Sequence, residues 1–442
     1  MQLLLNGPVS VMLWRLAGPN VVAVAMFTSV IFADAWYIGQ VGTVALASLA
    51  LVFPFQTLIQ MMAGGAIGGG VTSAVARALG GGDVPKAERV AWHAAVIALA
   101  MSMFFVLVLG LFSTPILTLL GGEGEALDGA VAYARIAFGG AAVIWLFFVL
   151  SAVLRGTGDT VTPAHAITVA SIAQVALSGA LTLGWVGLPA LGIIGPAIAL
   201  IICNGAAVLY LSAHLLNSRA RVRLRPHRLQ WSAVKDIMEV GGIGLVNSAF
   251  MAINVVFVTG FIGRYGTEAL AGYGLVARLE LILVPIAFGV GAALTAAVGA
   301  NVGAGQFTRA RRIAWTGSAV TLVLTGAIGI TAALIPSLWL DLFTESAGAY
   351  RIGALYLGIA APFYGLFGAG QALYFASQGT GRMLWPVAAT GVRFFVVVSL
   401  SVLAVSYAWD VSAVFWAVAA GLAIMGIGQA LTLFGPGWRP KH

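Results

Sequence analysis

Residues 35–76 read AWYIGQVGTVALASLALVFPFQTLIQMMAGGAIGGGVTSAVA and contain no Asp, Glu, Lys, Arg or His. A helix needs about 20 apolar residues to cross the roughly 30 Å hydrocarbon core of a bilayer. We place the end of one membrane span and the whole of the next in this stretch. Similar uncharged runs cover residues 94–122, 240–263, 281–308, 313–340, 352–381 and 411–438.

The composition agrees with a membrane protein. Of the 442 residues, 61% are hydrophobic and only 8% are charged, whereas a soluble domain has about 25% charged residues. The net charge of +8 comes from residues between the apolar runs, which indicates membrane topology rather than nucleic-acid binding. The start of the chain lacks a cleavable signal pattern, and a lone cysteine, Cys203, excludes a disulfide within the chain.

The apolar runs predict an all-α polytopic protein with twelve transmembrane helices. The run from 166 to 213 is too long for one span and is broken at Gly187-Leu188-Pro189. The predicted spans are residues 11–38, 44–77, 90–112, 129–154, 162–184, 190–216, 236–262, 268–301, 312–334, 349–376, 386–407 and 411–435.

The distribution of Lys and Arg predicts the orientation. With a cytoplasmic N-terminus, 17 of the 22 basic residues, among them Arg219 and Lys441, lie on the inner side. Only Arg264 and Arg351 lie outside, and three arginines fall within spans: Arg135, Arg278 and Arg393. Because positive residues concentrate on the cytoplasmic side, we expect both termini there and the protein in the cell (inner) membrane.

The chain repeats itself. Residues 38–47 match residues 262–271 at seven of ten positions with an offset of 224, and Gly156-Thr157-Gly158 matches Gly379-Thr380-Gly381 with an offset of 223. Six spans per copy make the repeat parallel. We therefore expect a six-helix lobe at 1–218, a basic cytoplasmic linker at 219–235 and a second lobe at 236–442, with a central cleft between the lobes. The linker is expected to meet anionic membrane lipid, with a nucleic-acid arm as the remote alternative.

Two acidic residues fall well inside the spans, Asp34 and Glu280. Charge in a membrane is costly and commonly functional, so Asp34 is a candidate to exchange a proton or bind a small cation such as Na⁺; otherwise it caps or hydrates the end of its helix. Glu280 either attracts a cation in the cleft or forms a structural ion pair with Arg393 or Arg135. Arg278 is two residues from Glu280, so the two side chains do not share a helix face.

Neutral polar residues within the spans are either part of the substrate pathway or polar contacts that hold helices together. The pathway candidates beside Arg278 and Glu280 are Gln56, Asn204, Asn247, Asn254 and Tyr273. The sequence contains no phosphate loop, no nucleophile elbow and no metal-ligand spacing. We therefore expect that the protein is not an enzyme and binds no cofactor and no metal other than a coupling ion. An ion gradient is the expected energy source for transport.

Several motifs in order resemble the multidrug and toxic compound extrusion (MATE) transporters. They are Asp34-Ala35-Trp36-Tyr37-Ile38-Gly39, Gly80-Gly81-Gly82, Arg155-Gly156-Thr157-Gly158-Asp159 and the Gly187-x-Pro189-x-x-Gly192 turn, with their copies in the second half. The resemblance covers nearly the whole chain and implies two six-helix lobes in a V shape. It implies a monomer that exports small cationic, amphipathic compounds by alternating access in exchange for H⁺ or Na⁺.

Within that family the chain resembles the DinF-like branch, in which the aspartate of the first helix couples ion movement; Asp34 matches it. The match is incomplete in the fifth helix, where the resemblance places Ser178 at a position that is acidic in some relatives and Gln174 at a nearby position that is Asn. Gln174 and Ser178 are therefore the further candidates for ion coupling. Acidic positions of sodium-coupled relatives fall near Met251 and at Arg382, which favours H⁺ over Na⁺. Two alternatives stay open: a flippase for a lipid-linked precursor, whose phosphate would meet the three intramembrane arginines, and a receptor or scaffold without transport.

Overall fold

The structure is a computed structural model that describes residues 2–218 and 220–440. Arg219 and Lys441, which the sequence places on the cytoplasmic side, lie outside the described residues. Every regular element in the described ranges is helical, and these ranges contain no β-strand. The prediction of an all-α polytopic membrane protein is confirmed.

Eleven helices in the described ranges are long and apolar enough to cross a membrane, and a bent pair of helices provides a twelfth span. We number these segments α1 to α12 in chain order. They are Val9–Val41, Thr43–Gly80, Val84–Leu111, the bent pair Gly124–Gly139 and Ala141–Gly156, Val161–Leu183, Ile194–Leu216, Trp231–Gly263, Thr267–Gly303, Phe307–Leu334, Ala347–Thr380, Leu384–Ser406 and Val411–Thr432.

A short helix, Gln2–Asn6, precedes α1. Two others, Ser113–Leu119 and Ser337–Leu340, lie in the α3–α4 and α9–α10 connections, and a 3₁₀ turn at Trp185–Gly187 lies between α5 and α6. That turn lies in the predicted break between the fifth and sixth spans. The α5 helix stops there because Gly184 takes a left-handed conformation, with φ of 75°, which glycine adopts without strain.

The chain folds as two compact units. The N-terminal unit is Val22–Gly241, and the C-terminal unit runs from Gly242 onward and includes the described residues up to Val21. The helices α1 and α7 therefore each contribute residues to both units. The lobe boundaries that the sequence suggests, with a linker at 219–235, stay a prediction. In the structure this linker is tied to the N-terminal unit, where Arg221 donates a hydrogen bond to the Thr157 carbonyl at 3.0 Å.

The sequence repeat appears in the structure as matched contacts. In the N-terminal unit the Thr72 hydroxyl donates to the Ala152 carbonyl at 3.0 Å. In the C-terminal unit the Thr295 hydroxyl donates to the Phe375 carbonyl at 2.8 Å. Donors and acceptors are related by the same repeat offset, since 295 − 72 = 223 and 375 − 152 = 223. The two halves thus use the same interhelical hydrogen bond to hold their second and fourth spans together.

The fourth span of each half is broken at the same place. The α4 segments meet at an angle of 47° around Gly140, and α10 contains a 3₁₀ turn at Ala361–Phe363. Gly140 and Phe363 are equivalent positions of the repeat, because 363 − 140 = 223. A break in both copies indicates that the interruption belongs to the repeated unit itself.

The second spans of the two halves differ by one residue. The α2 segment has 38 residues and the equivalent α8 has 37, and α2 contains a π-helical segment at Met61–Ile67 while α8 is continuous α-helix. A π-bulge takes one additional residue into an α-helix. The change of repeat offset from 224 to 223 falls within this span, so the bulge accounts for it.

Candidate functional site

The carboxylate of Asp34 is buried in the N-terminal unit. Asp34 lies on α1 with 8% of its surface exposed. The Ser178 hydroxyl of α5 donates a hydrogen bond to Asp34 Oδ1 at 2.5 Å, and the Gln174 side chain makes a second hydrogen bond to the same carboxyl group. The structure therefore brings the three proposed ion-coupling residues together; their role in coupling stays a prediction.

Local sequence explains how α5 reaches α1. Gln174 and Ser178 are four residues apart and so share one helix face. Next to them, a Cβ atom at Gly179 would lie 2.7 Å from the Tyr37 ring, so only glycine lets Tyr37 pack this closely. The Tyr37 ring also contacts Trp185 edge to face, with 5.6 Å between centroids. Tyr37 and Trp185 thus pack at Gly179, the residue that follows Ser178 on α5.

No basic side chain of the described ranges forms an ion pair with Asp34. Across residues 2–218 and 220–440 the ion pairs are Lys86–Asp236, His214–Asp159 and Lys235–Glu239. The hydrogen-bond partners of Asp34 are a neutral hydroxyl and a neutral amide. A buried carboxylate with only neutral partners is a group that takes up a proton or a cation readily.

A pocket lies at the bend of α4 in the same unit. It is partly open to its surroundings, and its polar lining residues are Gln56, Gln60 and Asn204. Phenylalanine rings form much of the remaining wall, including Phe27 and Phe148. Two of the predicted pathway residues, Gln56 and Asn204, thus share one pocket, whose lining residues carry no formal charge.

Gln56 also hydrogen-bonds to Tyr133 of α4. Tyr133 is 1% exposed and lies within electrostatic range of Asp34. Tyr133 therefore interacts both with the pocket residue Gln56 and with the buried carboxylate of Asp34. The sequence reasoning did not select Tyr133.

The second intramembrane carboxylate, Glu280, lies in the C-terminal unit on α8. Two hydroxyl groups of α10 donate to its Oε1 atom, Tyr356 at 2.8 Å and Tyr364 at 3.1 Å. Glu280 makes no ion pair within 4.0 Å in the described part of the chain. Of the predicted partners, Arg393 is within electrostatic range of Glu280, whereas Arg135 is exposed in the other unit.

Arg393 of α11 is buried, with 8% of its surface exposed. Its Nη1 atom contacts the Met251 sulfur at 3.2 Å, and its guanidinium lies 5.6 Å from the centroid of the Phe367 ring. The Nε atom has no hydrogen-bond partner among the described residues. The guanidinium is therefore poorly neutralised.

The remaining predicted pathway residues divide into two groups. Asn247 and Asn254 are buried on α7, and the Oδ1 atom of each has no partner among the described residues. Tyr273 packs edge to face on Tyr356 at 5.5 Å. Arg278, by contrast, is exposed, and its guanidinium lies 5.8 Å from the centroid of the Phe343 ring, so Arg278 makes no contact with Glu280.

Two tyrosines at the sites were missed by the sequence reasoning, Tyr133 and Tyr356. They are equivalent positions of the repeat (356 − 133 = 223), so extending the repeat alignment into the fourth spans would have found both. In the described ranges no three His, Cys, Asp or Glu side chains are grouped so that they could hold a metal ion.

Comparisons with known proteins give the following matches. The family model described as MatE matches residues 19–178 and 243–403. The starts of its two copies differ by the offset of the sequence repeat (243 − 19 = 224). A probable multidrug resistance protein of Bacillus subtilis, YoeA, is 27% identical over 78% of this chain and 75% of its own length.

Two further matches extend this picture. An FAD transporter of Shewanella oneidensis is 29% identical over 70% of this chain and 69% of its own length. A solved structure of a MOP superfamily transporter from Pyrococcus furiosus superposes with a TM-score of 0.89 at 23% identity, covering 97% of this chain and 96% of that one. At this identity the structural match establishes the fold.

Proposed function

The chain belongs to the MatE family of membrane transporters, and on that premise we propose that it is a secondary antiporter that exports cationic amphipathic compounds in exchange for H⁺. The observation that supports this most directly is the environment of Asp34. Its carboxylate is buried, accepts a hydrogen bond from Ser178 and has no cationic partner among the described residues. Transport then depends on whether Asp34 carries a proton.

The two states of Asp34 use the same neighbours differently. In the ionised state the Ser178 hydroxyl and the Gln174 side chain stabilise the charge by hydrogen bonding. When a proton binds, the carboxyl group becomes neutral and these bonds weaken. Tyr133 is within electrostatic range of Asp34 and is hydrogen-bonded to Gln56, so a change of charge at Asp34 alters the field at a wall of the α4 pocket.

The choice of H⁺ over Na⁺ follows from what each ion needs. One carboxylate binds a proton, whereas a hard cation needs several oxygen ligands in the right geometry. Around Asp34 the identified partners are one hydroxyl, whose proton points at the carboxylate, and one amide. This favours H⁺ and leaves Na⁺ as the alternative that the experiment distinguishes.

The chemistry of the residues that line the α4 pocket supports an organic cargo. Its wall combines phenylalanine rings with amide side chains, and such a surface takes flat, amphipathic molecules through apolar and cation–π contacts. Relatives named as a multidrug resistance protein and an FAD transporter indicate that cargo differs within the family. We therefore assign a class of cargo rather than a compound.

The flippase alternative has less support, since it needs the three intramembrane arginines to act as one phosphate site. Within the C-terminal unit, Arg278 is exposed beside Phe343 while Arg393 is buried against Phe367. Arg135 on the first segment of α4 is exposed. The Lys and Arg distribution also supports a location in the cell (inner) membrane with both termini cytoplasmic and the basic linker on anionic lipid. We further propose a monomer, as the family resemblance implies.

The test is ethidium efflux from proteoliposomes, driven separately by a pH gradient and by a Na⁺ gradient. We expect the pH gradient to drive efflux, and Asp34→Asn to abolish it because asparagine cannot exchange a proton. Asp128→Asn, which removes an exposed carboxylate of the same unit, is the matched control. Efflux driven by Na⁺ alone, or full activity of Asp34→Asn, would show that the coupling proposal is wrong.

A further inference from the structure

Three buried polar atoms of the C-terminal unit have no partner among its described residues. They are the Nε donor of Arg393 and the Oδ1 acceptors of Asn247 and Asn254. Each of these side chains is more than nine-tenths buried. Buried polar groups are rarely left unpaired because each costs free energy, and in a transporter such a group is available to bind cargo.

Arg393 lacks a proper acceptor among the described residues. Its Nη1 atom contacts a thioether, which is a weak acceptor, and the Phe367 ring offers only its π face. A buried guanidinium without an anion is unfavourable. The best partner for it is a carboxylate or phosphate, which accepts two parallel N–H bonds from the guanidinium.

Glu280 does not supply that anion. The hydroxyls of Tyr356 and Tyr364 hold its carboxylate on the α10 side, with no nitrogen of Arg393 within 4.0 Å. The two opposite charges interact electrostatically but do not touch. One cluster therefore offers a separate site for an anionic group and another for a cationic group.

The face of α7 completes the cluster. Asn247, Met251 and Asn254 follow each other at spacings of four and three residues, so they lie on one helix face. Met251 contacts Arg393 of α11, so this face of α7 points towards α11. Phe250 lies next to Met251 in sequence and packs on Phe394 with 5.4 Å between centroids, providing an apolar surface nearby.

We propose that the C-terminal unit binds amphipathic zwitterions, with Arg393 binding an acidic group of the cargo and Glu280 binding its basic group. The unpaired amide oxygens of Asn247 and Asn254 accept N–H bonds from the cargo. This inference rests on the proposed export function and extends its cargo class: a molecule with both charges on an aromatic frame binds more tightly than the same molecule with its acid blocked.

The test uses a matched set of fluorescent xanthene dyes and purified protein in lipid nanodiscs. Rhodamine 110 carries both a free acid and a cationic frame, and rhodamine 123 is its methyl ester and keeps only the cation. Fluorescein has the same acid on a frame that carries a negative charge, rather than a positive one, at neutral pH. Binding is followed by fluorescence anisotropy without any ion gradient. The variants are Arg393→Gln, Arg393→Lys and Glu280→Gln, with Arg351→Gln as an exposed control that also removes one positive charge from this unit.

We expect the native protein and Arg351→Gln to bind rhodamine 110 about tenfold tighter than rhodamine 123, as hydrogen bonds to a charged group predict. Arg393→Gln should lower this ratio to about one by weakening only rhodamine 110, and Arg393→Lys should give an intermediate ratio. Glu280→Gln should weaken both rhodamines, and fluorescein should bind more weakly than rhodamine 110.

Three results would overturn the inference. The first is that Arg393→Gln leaves the ratio of rhodamine 110 affinity to rhodamine 123 affinity unchanged. The second is that both Arg393 variants lose the binding of both rhodamines, and the third is that fluorescein binds as tightly as rhodamine 110. None of these depends on proton coupling. Conversely, if the dyes bind as expected but a pH gradient drives no efflux, the zwitterion site is supported and the proposed antiport is wrong.

Discussion

Gln56 and Glu280 are equivalent positions of the two halves (280 − 56 = 224), and each is hydrogen-bonded to the equivalent tyrosine of its own unit. These tyrosines are Tyr133 and Tyr356, respectively. The N-terminal unit thus has an amide where the C-terminal unit has an acid. The reverse holds in the first spans, where Asp34 has Val258 as its counterpart. Each half keeps one intramembrane carboxylate, at a different position of the repeat.

The Tyr356 hydroxyl should stabilise the fold through Glu280. Tyr356→Phe removes the 2.8 Å hydrogen bond to a carboxylate and should lower the free energy of unfolding by about 1–2 kcal/mol. The apparent Tm, followed by tryptophan fluorescence in detergent, should fall by about 2–4 °C. Tyr350→Phe on the same span is the control, and equal shifts in both variants would contradict the prediction.

Ser178 and Ser401 form a natural matched pair, because they are equivalent positions of the repeat (401 − 178 = 223) and both are fully buried. Ser178 donates to Asp34, while the Ser401 hydroxyl has no partner among the described residues. Ser178→Ala should slow pH-driven ethidium efflux about tenfold by removing a donor to the ionised carboxylate. Ser401→Ala should leave the rate unchanged, and equal rates in the two variants would refute a special role for Ser178.

Gly70 should tolerate no side chain. A Cβ atom there would lie 2.5 Å from the Ile237 carbonyl oxygen and 2.9 Å from the Gly241 nitrogen, and backbone atoms cannot move aside as a flexible side chain does. Gly70→Ala should therefore destabilise the N-terminal unit by about 1–3 kcal/mol. Gly39→Ala, where a Cβ meets nothing within 4 Å, should be neutral or slightly stabilising. Size-exclusion profiles after stepwise heating measure both.

Asp410 caps α12 outside the membrane span and predicts a pH effect. A hydrogen bond from the Ser412 backbone N–H, 3.0 Å from Oδ2, holds the pKa of Asp410 below its ordinary value. A lowered pKa in the folded state contributes stability above the unfolded pKa, and that contribution is lost as the pH falls through the folded value. The effect is therefore complete at pH 7 and is lost progressively below about pH 4.

Replacing the cap should show this directly. Asp410→Ala should cost about 1 kcal/mol or less at pH 7, because the carboxylate is exposed and screened. The difference in apparent Tm between the native protein and Asp410→Ala should shrink steadily as the pH is lowered from 5 towards 2. Asp410→Asn caps the helix without a charge, so the difference in apparent Tm between Asp410→Asn and Asp410→Ala should be the same at every pH. If the difference in apparent Tm between the native protein and Asp410→Ala did not change with pH, the ionised carboxylate would not be the source of the stability.

The architecture was largely predictable from the sequence. Long uncharged runs such as residues 35–76 predict membrane spans, because charged and unpaired polar groups are unfavourable in the bilayer core. The helices of the structure and the family match both agree with this prediction. The break at Gly187-Leu188-Pro189 also followed from composition. Helix ends were less accurate: the seventh span was predicted from residue 236, while α7 begins at Trp231, since a helix continues beyond the apolar core into polar sequence.

The contacts within the sites were not predictable from the residues alone. Asp34 and Ser178 are far apart in sequence (178 − 34 = 144), and only a resemblance to relatives suggested that they meet. Arg393 was one of two suggested partners for Glu280, yet tyrosines hold the carboxylate instead. Periodicity specifies which residues share a helix face, but the rotation of each helix against its neighbours depends on packing throughout the unit.

The π-helical segment Met61–Ile67 lets two halves of unequal length keep equivalent contacts. The second span of the N-terminal half has one residue more than that of the C-terminal half, 38 against 37. Gln56 on one side of the π-helical segment and Thr72 on the other still match Glu280 and Thr295, because the bulge absorbs the added residue without rotating either end. Deleting one residue inside this segment should therefore be better tolerated than deleting one anywhere else in α2.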